Sequence, residues 1–344
     1  MPGNDSHSLN ILAIRFSAIG DVAMTVPVLD SFARQYPQHH ITFLSNPRFE
    51  PFFSGMPSNF TFRGADVKKQ YHGTSGLKLL VSELAASNYD TVLDLHGVLR
   101  SEYISTGLML KGCRVYRIGK DRIGREAVTR RILKRTKPLA SAFERYGKVF
   151  TKAGFDIDIA FRNIFCNVPD GILSEVGAKE QSWIGIAPFA AHKGKIYPLE
   201  LMERVVSGLQ QNPRWSRIFV FAYGDERAQV EQWPVLYNKV TLISGQYDMG
   251  QELQLMYWLD CMVCMDSSNM HLASLAGTRV VSVWGATHPV AGFLGYGQSV
   301  QDCVQLDMDC RPCSIYGKKE CRFGDYRCMS RISPDSILSL IDRI

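Results

Sequence analysis

The stretch between residues 257 and 289 constrains the fold more than any other part of this 344-residue chain. Residues 261–265 form a short apolar run that stops abruptly at Asp266, as buried parallel strands do. Residues 267–269 are typical helix N-cap residues, and apolar side chains follow them at helical spacing. Residues 280–284 are a second strand rich in β-branched side chains. This order of strand, helix and strand predicts an α/β fold with a parallel sheet.

Polar side chains are concentrated where these two strands and the helix are expected to meet. Asp266, Ser267 and Ser268 follow the first strand, and His271 and His288 lie near them in the sequence. Open parallel sheets bind ligands at their carboxyl edge, and the free N–H groups of a helix's first turn suit a phosphate. These residue types predict recognition of a phosphorylated molecule that is rich in hydroxyl groups. The alternative is an ordinary strand-to-helix turn with good capping residues.

The same alternation of strands and helices begins near the N-terminus. Residues 10–16 form a buried-strand pattern, the turn SAIGD follows with Asp21 at its end, and a helix starts at Val22. Residues 41–44 are the next strand, so a parallel βαβ unit opens the chain. Asp21 at the mouth of the first strand is a candidate functional carboxylate. Its alternative role is to cap the helix that follows.

The alternation restarts after a connecting stretch of poor periodicity at residues 154–181. Strand patterns return from residue 183 onward and again alternate with helices. We therefore predict two successive α/β domains with a cleft between them, in keeping with the length of the chain. The expected bounds are residues 1–170 and 171–333, followed by a short amphipathic helix at 334–344.

Composition and patterning argue against several classes of protein. No apolar run approaches the roughly 20 residues needed to span a bilayer. The N-terminus lacks the positively charged segment of a secretory signal, so we expect a cytoplasmic protein. Neither predicted domain carries a GxGxxG fingerprint after its first strand, which argues against an NAD-dependent dehydrogenase.

Positive charge is concentrated between residues 111 and 137. This segment holds eleven Lys or Arg and two acids, a local +9, so the rest of a chain with net charge +6 carries about −3. A solvated basic helix face is one interpretation. The other is a surface for an anionic partner, which would be a phosphorylated acceptor, a membrane surface or nucleic acid. Nucleic acid ranks last because no aromatic-interleaved or zinc-finger pattern accompanies the charge.

Four motifs, taken in chain order, resemble glycosyltransferase family 9, the ADP-heptose:lipopolysaccharide heptosyltransferases. They are FSAIGDVAMTVPVL, DLHGVLRS, YGDER and MDSSNMHLASLAGTRVVSVWGATHP. The resemblance implies a GT-B type fold, which is two Rossmann-like domains with parallel sheets facing each other across a cleft. It places the nucleotide-sugar donor in the C-terminal half and the acceptor in the N-terminal half. It also implies inverting transfer of a heptose from ADP-heptose to the inner core of lipopolysaccharide, without a metal or other cofactor.

The same resemblance assigns roles to individual residues. It implies that Asp21 is the general base that takes the proton of the acceptor hydroxyl. It implies that Lys195 contacts the donor diphosphate and offsets the charge growing on the leaving ADP. Glu226 corresponds to an acid that holds the ribose, and Asp266 to a residue that binds donor sugar hydroxyls. The expected phosphate pocket is lined by Ser267, Ser268 and His271, and the expected acceptor contacts are Arg100, Arg130 and Arg131.

Three of these residues have simpler alternative roles. Lys195 would be a solvated loop lysine, Glu226 an acid at a helix N-terminus, and His271 a histidine of the core. The sequence also departs from the family pattern. DSSNMH stands where the family often has D-T-G-x-x-H, so Ser268 replaces a glycine that allows close approach to a phosphate. Another nucleotide sugar is therefore the alternative donor.

The C-terminal segment has four cysteines in the pattern C-x2-C-x7-C-x6-C, at Cys310, Cys313, Cys321 and Cys328. This spacing suits zinc, although the second pair is wider than usual. Disulfides are not expected in a reducing compartment. The alternatives are buried thiols in a packed tail, a structural zinc site and a redox role.

The function predicted from the whole chain is inverting transfer of a heptose onto an anionic lipopolysaccharide core at the inner face of the cytoplasmic membrane. One alternative is another GT-B transferase, or an epimerase that acts on a free nucleotide sugar. A second is a nonenzymatic nucleotide-sugar-binding protein, although Asp21 argues against it because binding alone does not need a base.

Overall fold

The computed structural model describes residues 8–130 and 137–343. Its strands are β1 Asn10–Ile14, β2 His40–Ser45, β3 Phe60–Gly64, β4 Thr91–Asp94, β5 Arg114–Arg117, β6 Ser182–Ala187, β7 Trp215–Phe221, β8 Val240–Ile243, β9 Cys261–Met265, β10 Val280–Val283 and β11 Cys303–Val304. Its α-helices are α1 Ile19–Ala23, α2 Val26–Gln35, α3 Gly73–Ala85, α4 Leu99–Met109, α5 Arg122–Val128, α6 Ala142–Lys152, α7 Leu173–Val176, α8 Leu199–Gln211, α9 Asp225–Ala228, α10 Trp233–Leu236, α11 Met249–Trp258, α12 Ser268–Ala276, α13 Arg327–Ser330 and α14 Pro334–Ile341.

Contacts divide the chain into two compact units. The first contains Met1–Lys120 and Ala142–Ile164, and the second contains Asp121–Ser141 and Phe165–Ile344. The second half of the basic stretch therefore groups with the C-terminal part of the chain. There, Val128 of α5 packs with Leu139 and Val290 in a small apolar cluster.

The first unit is built on a parallel sheet of order β3-β2-β1-β4-β5. Apolar side chains of the central strands β1, β2 and β4 are fully buried and pack against α3 and α4. Burying both faces of a parallel sheet requires continuous apolar strands, which explains the run NILAI in β1. The chain enters this sheet at β1 and later crosses to β4, so a topological switch point lies between these two strands.

The second unit repeats this architecture with a parallel sheet of order β11-β10-β9-β6-β7-β8. Its core joins β6, β7, β9 and β10 to the apolar faces of α8 and α14. Here the chain enters at β6, adds β7 and β8 on one side, and then crosses to β9. The switch point, where open α/β sheets bind ligands beyond the carboxyl ends of the strands, therefore lies between β6 and β9.

The structure confirms the predicted α/β class and the strand–helix–strand order of residues 257–289. Gly277 ends α12 with φ of 83°, a left-handed conformation that glycine adopts without strain. The edge strand β3 was not predicted. Its residues are mostly part-exposed and it pairs only with β2 among the described strands, so it lacks the apolar run that marks the buried strands.

Candidate functional site

The ends of β6 and β9 bring two predicted site residues of the second unit together. Lys195 lies in the loop after β6, and Asp266 is the first residue after β9. The Lys195 Nζ is 2.8 Å from the Asp266 Oδ2, with side-chain exposures of 15% and 4%. At this distance the Lys195 ammonium interacts strongly with the charge of the Asp266 carboxylate. Among the described residues, no donor makes a hydrogen bond of good geometry to the Asp266 Oδ2. An ion pair this buried, at the topological switch point, is the main electrostatic feature of the site.

Helix α12 begins beside this ion pair. Ser267 is its N-cap residue and makes no side-chain capping bond, and Ser268 is the first helical residue. Within residues 8–130 and 137–343, the buried Ser267 hydroxyl has no hydrogen-bond partner. His271 lies one turn into the helix and is 7% exposed. Free N–H groups, a hydroxyl and a cation at one helix start are suited to a phosphate.

Close backbone packing positions the loop that carries Lys195. The Ala286 N–H, in the loop after β10, donates to the Gly194 carbonyl at 2.8 Å. A Cβ at Gly194 would lie 2.8 Å from the Cβ of Ala286. Gly317 lies against the stem of Lys195, where an added Cβ would be 2.7 Å from its Cγ. A side chain at Gly194 would push its loop away from Ala286, and one at Gly317 would displace the Lys195 side chain, so both positions favour glycine.

Glu226 lies at the carboxyl end of β7, the strand next to β6 in the sheet. It is in the first turn of α9, and its Oε2 accepts a hydrogen bond from the Tyr223 N–H at 3.4 Å. Burial raises the pKa of Glu226. The Tyr223 hydroxyl donates to Glu252 at 2.7 Å, and burial also raises the pKa of Glu252. Two carboxyl groups with raised pKa values therefore flank Tyr223 at this edge of the sheet.

In the first unit, Asp21 lies next to the switch point between β1 and β4. The Arg15 guanidinium, at the end of β1, is 2.9 Å from the Asp21 Oδ2, and the Asp21 side chain is 33% exposed. Arg15 also donates to the Leu95 carbonyl at 2.6 Å, and its guanidinium lies 5.4 Å from the ring centroid of Tyr146. Burial works against the charge of Arg15, but nearby Tyr146 and Asp21 raise its pKa overall. Arg15 therefore forms an ion pair with Asp21 and fixes the position of its carboxyl group.

His96 is a further titratable group at this edge. Its Nδ1 accepts from the Phe16 N–H at 3.5 Å. Burial, followed by the positive charge of Arg15, lowers the pKa of His96 to about 4, although Asp21 opposes this. The imidazole is therefore neutral at neutral pH, and the acidic groups of this edge are Asp21 and the buried Asp94 at the end of β4.

Three arginines were predicted to contact an acceptor, and the structure describes two of them. Arg100 is exposed in the first turn of α4, in the first unit. Arg130 follows α5 in the second unit, and its Nη2 is 3.4 Å from the Oε1 of Glu126. Arg131 lies outside the described residues. The acceptor role of these residues stays a prediction.

The site residues that were not predicted from the sequence are those around the predicted ones. Arg15, His96, Tyr223 and Glu252 are all buried or half-buried polar groups. Arg15 had a signal in the sequence, because a cation at the end of the apolar run NILAIRF requires a buried partner. The partners of the other three depend on which strand ends become neighbours.

Comparison with known proteins identifies the family of the chain. Residues 78–326 match the family model described as glycosyltransferase family 9 (heptosyltransferase). The chain belongs to glycosyltransferase family 9. It is therefore a glycosyltransferase, and the alternatives of a dehydrogenase and a nonenzymatic binding protein no longer apply. No curated protein matches the chain by sequence.

Solved structures with similar folds include other members of the family. A family 9 glycosyltransferase from Veillonella parvula is 18% identical, with a TM-score of 0.71 over 97% of this chain and 96% of that one. The ADP-heptose lipopolysaccharide heptosyltransferase II of E. coli is 16% identical, with a TM-score of 0.70 over 97% and 98%. An E. coli heptosyltransferase solved with ADP-2-deoxy-2-fluoro heptose is 15% identical, with a TM-score of 0.69 over 97% and 99%. These likenesses confirm the GT-B type fold. Across the described residues, no helix is long and apolar enough to cross a membrane.

Proposed function

We propose that this family 9 enzyme transfers a heptose from ADP-heptose to the inner core of lipopolysaccharide. The observation that carries the proposal is the buried ion pair of Lys195 and Asp266 beside the start of α12. A diphosphate placed there would meet a cation and free helix N–H groups, and a sugar next to it would meet a carboxylate. Two structural relatives are heptosyltransferases whose names include ADP-heptose or an ADP-heptose analogue, which supports this donor.

In the proposed reaction, the acceptor hydroxyl attacks the anomeric carbon of the donor as its proton passes to Asp21. The bond between the anomeric carbon and the phosphate oxygen breaks, and ADP leaves with the bonding electrons. Asp21 suits the role of base because its ion pair with Arg15 orients the carboxyl group while a third of its side chain remains exposed. We propose that the reaction inverts the configuration at the anomeric carbon.

Each donor residue has a role that matches its position. Lys195 and the N–H groups at the start of α12 stabilise the negative charge that develops on the leaving diphosphate. Asp266 orients Lys195 in the free enzyme and binds hydroxyl groups of the donor sugar. Ser267 and His271 complete the phosphate pocket, and Glu226 accepts hydrogen bonds from the ribose.

The proposed acceptor is anionic and embedded in a membrane. Exposed cations of the first unit, with Arg100 at the start of α4, and the basic segment around Arg130 are the proposed contacts with its phosphate groups. The enzyme would then work at the inner face of the cytoplasmic membrane as a peripheral protein.

Turnover with a defined donor and acceptor tests this function. ADP-heptose and a heptose-free lipopolysaccharide precursor are mixed with the enzyme, and ADP release and the mass of the lipid are followed. We expect ADP release only when the acceptor is present, together with a mass increase of one heptose on the lipid. UDP- and GDP-sugars serve as control donors. Interconversion of a free nucleotide sugar without transfer to the lipid would contradict the proposal and favour the epimerase alternative.

A further inference from the structure

The four cysteines of the C-terminal segment face one cavity in the second unit. Cys310, Cys313, Cys321 and Cys328 all line a cavity of about 180 Å³. They come from a span of nineteen residues whose backbone is largely irregular, so the folded loop itself brings the thiols together. All four are free thiols, and Cys328 is 6% exposed. The fold therefore gathers four of the nine cysteines of the chain on one cavity.

We propose that these four cysteines bind a thiolate-ligated metal ion, either zinc or iron. Sites with four sulfur ligands select these two metals, and the first pair has the C-x2-C spacing common at such sites. Within the part of the chain that the structure describes, no three His, Cys, Asp or Glu side chains already converge on one point. The cavity supplies the space in which rotation about the side-chain bonds brings the sulfur atoms around an ion.

The charge of the cavity wall suits such a centre. Four thiolates around a divalent ion leave a net charge of −2, which needs compensation when it is partly buried. The wall contains two acids, Asp309 and Glu320, and five cations, which are Arg130, Arg311, Lys319, Arg322 and Arg327. Arg130 and Arg327 also form ion pairs with Glu126 and Asp325, so the net positive charge of the wall is small and partly offsets the charge of a tetrathiolate site.

Arg311 fixes the loop around the first cysteine pair. Its side chain is 5% exposed and donates to the carbonyls of Gly285, Leu306 and Thr287. The Cys313 N–H donates to the Ala286 carbonyl at 3.0 Å. The first two ligands are therefore anchored to the loop after β10, which lowers the entropy lost on metal binding.

The site lies next to the loop that carries Lys195, which gives the metal a structural role. Gly317 and Tyr326 lie between the second and fourth cysteines. A Cβ added at Gly194, in the loop of Lys195, would be 3.4 Å from the Gly317 carbonyl oxygen and 3.7 Å from the Cε1 of Tyr326. The Lys193 Nζ is 5.4 Å from the ring centroid of Tyr326. A metal that closes the cysteine loop would hold the loop of Lys195 in place. This consequence rests on the proposed donor site, whereas the metal site itself does not.

Metal analysis of the full-length protein tests the proposal. The protein is purified without chelators from cells supplied with zinc and iron, and its metal content and visible absorption are measured. We expect about one ion per chain, colourless if zinc and with a charge-transfer band if iron. The Cys310→Ser/Cys313→Ser variant should lose the metal, while the control Cys166→Ser, an exposed cysteine outside the cavity, should keep it.

A second readout applies to the wild-type protein and does not depend on the folding of a variant. A chelator should expose up to four further thiols, of the nine in the chain, to alkylation. It should also lower the melting temperature by about 5 °C or more. The proposal would be overturned if the protein bound neither metal after reconstitution under reducing conditions and if the chelator did not change the reactivity of its thiols. Metal binding without donor turnover would leave this proposal standing and reject only the proposed function.

Discussion

Replacing Asp21 by asparagine should lower kcat by about 10²–10⁴-fold and leave donor affinity unchanged. Asparagine keeps the size of the side chain but cannot accept the proton of the acceptor hydroxyl. Because Asp21 belongs to the first unit and the proposed donor residues to the second, donor binding should not depend on it. Steady-state release of ADP measures kcat, and calorimetric titration of ADP measures the affinity.

The matched control for this prediction is Asp158→Asn, an exposed carboxylate in the same unit. It should retain wild-type turnover. The melting temperature of each variant separates a loss of catalysis from a loss of structure, because Asp21→Asn also weakens the ion pair with Arg15. A kcat of the Asp21 variant within about twofold of wild type would show that another group takes the proton.

Replacing Lys195 by methionine should lower both the stability of the enzyme and its affinity for ADP. The substitution leaves the carboxylate of Asp266 buried without its cation, which costs about 3–5 kcal/mol of unfolding free energy. It also removes the cation proposed to face the diphosphate. Urea denaturation measures the stability, and calorimetric titration measures the affinity.

A second substitution separates these two effects. Lys195→Met combined with Asp266→Asn removes the unpaired charge, so it should regain much of the stability without regaining ADP affinity. Lys193→Met, an exposed lysine of the same loop, is the control for stability and should change it little. Full ADP affinity in the Lys195 variant would remove this lysine from the proposed donor site.

The apolar strands were the part of the fold that could be predicted from the sequence. β9 has the predicted bounds, and the polar turn after it follows Met265 as expected. Buried parallel strands are recognisable because both of their faces need apolar side chains. The edge strand β3, whose side chains are mostly part-exposed, lacks that signal.

The candidate site could be predicted only residue by residue. Asp21, Lys195 and Asp266 were found through motifs, but their partners were not. Lys195 and Asp266 are 71 positions apart in the sequence, and they meet only because β9 lies beside β6 in the sheet. Strand order in a parallel sheet is not written in the local pattern of any one strand. The shared cavity of the four cysteines likewise depends on the path of an irregular loop.

Calorimetric titration of the wild-type enzyme with ADP, UDP and GDP, and then with ADP-heptose, tests the donor assignment most directly. We expect ADP to bind in preference to UDP and GDP. We also expect Asp266→Ala to weaken the binding of ADP-heptose, because this residue is assigned to the donor sugar. Preference for UDP or GDP would leave the family and fold intact but would contradict the assignment of ADP-heptose as the donor.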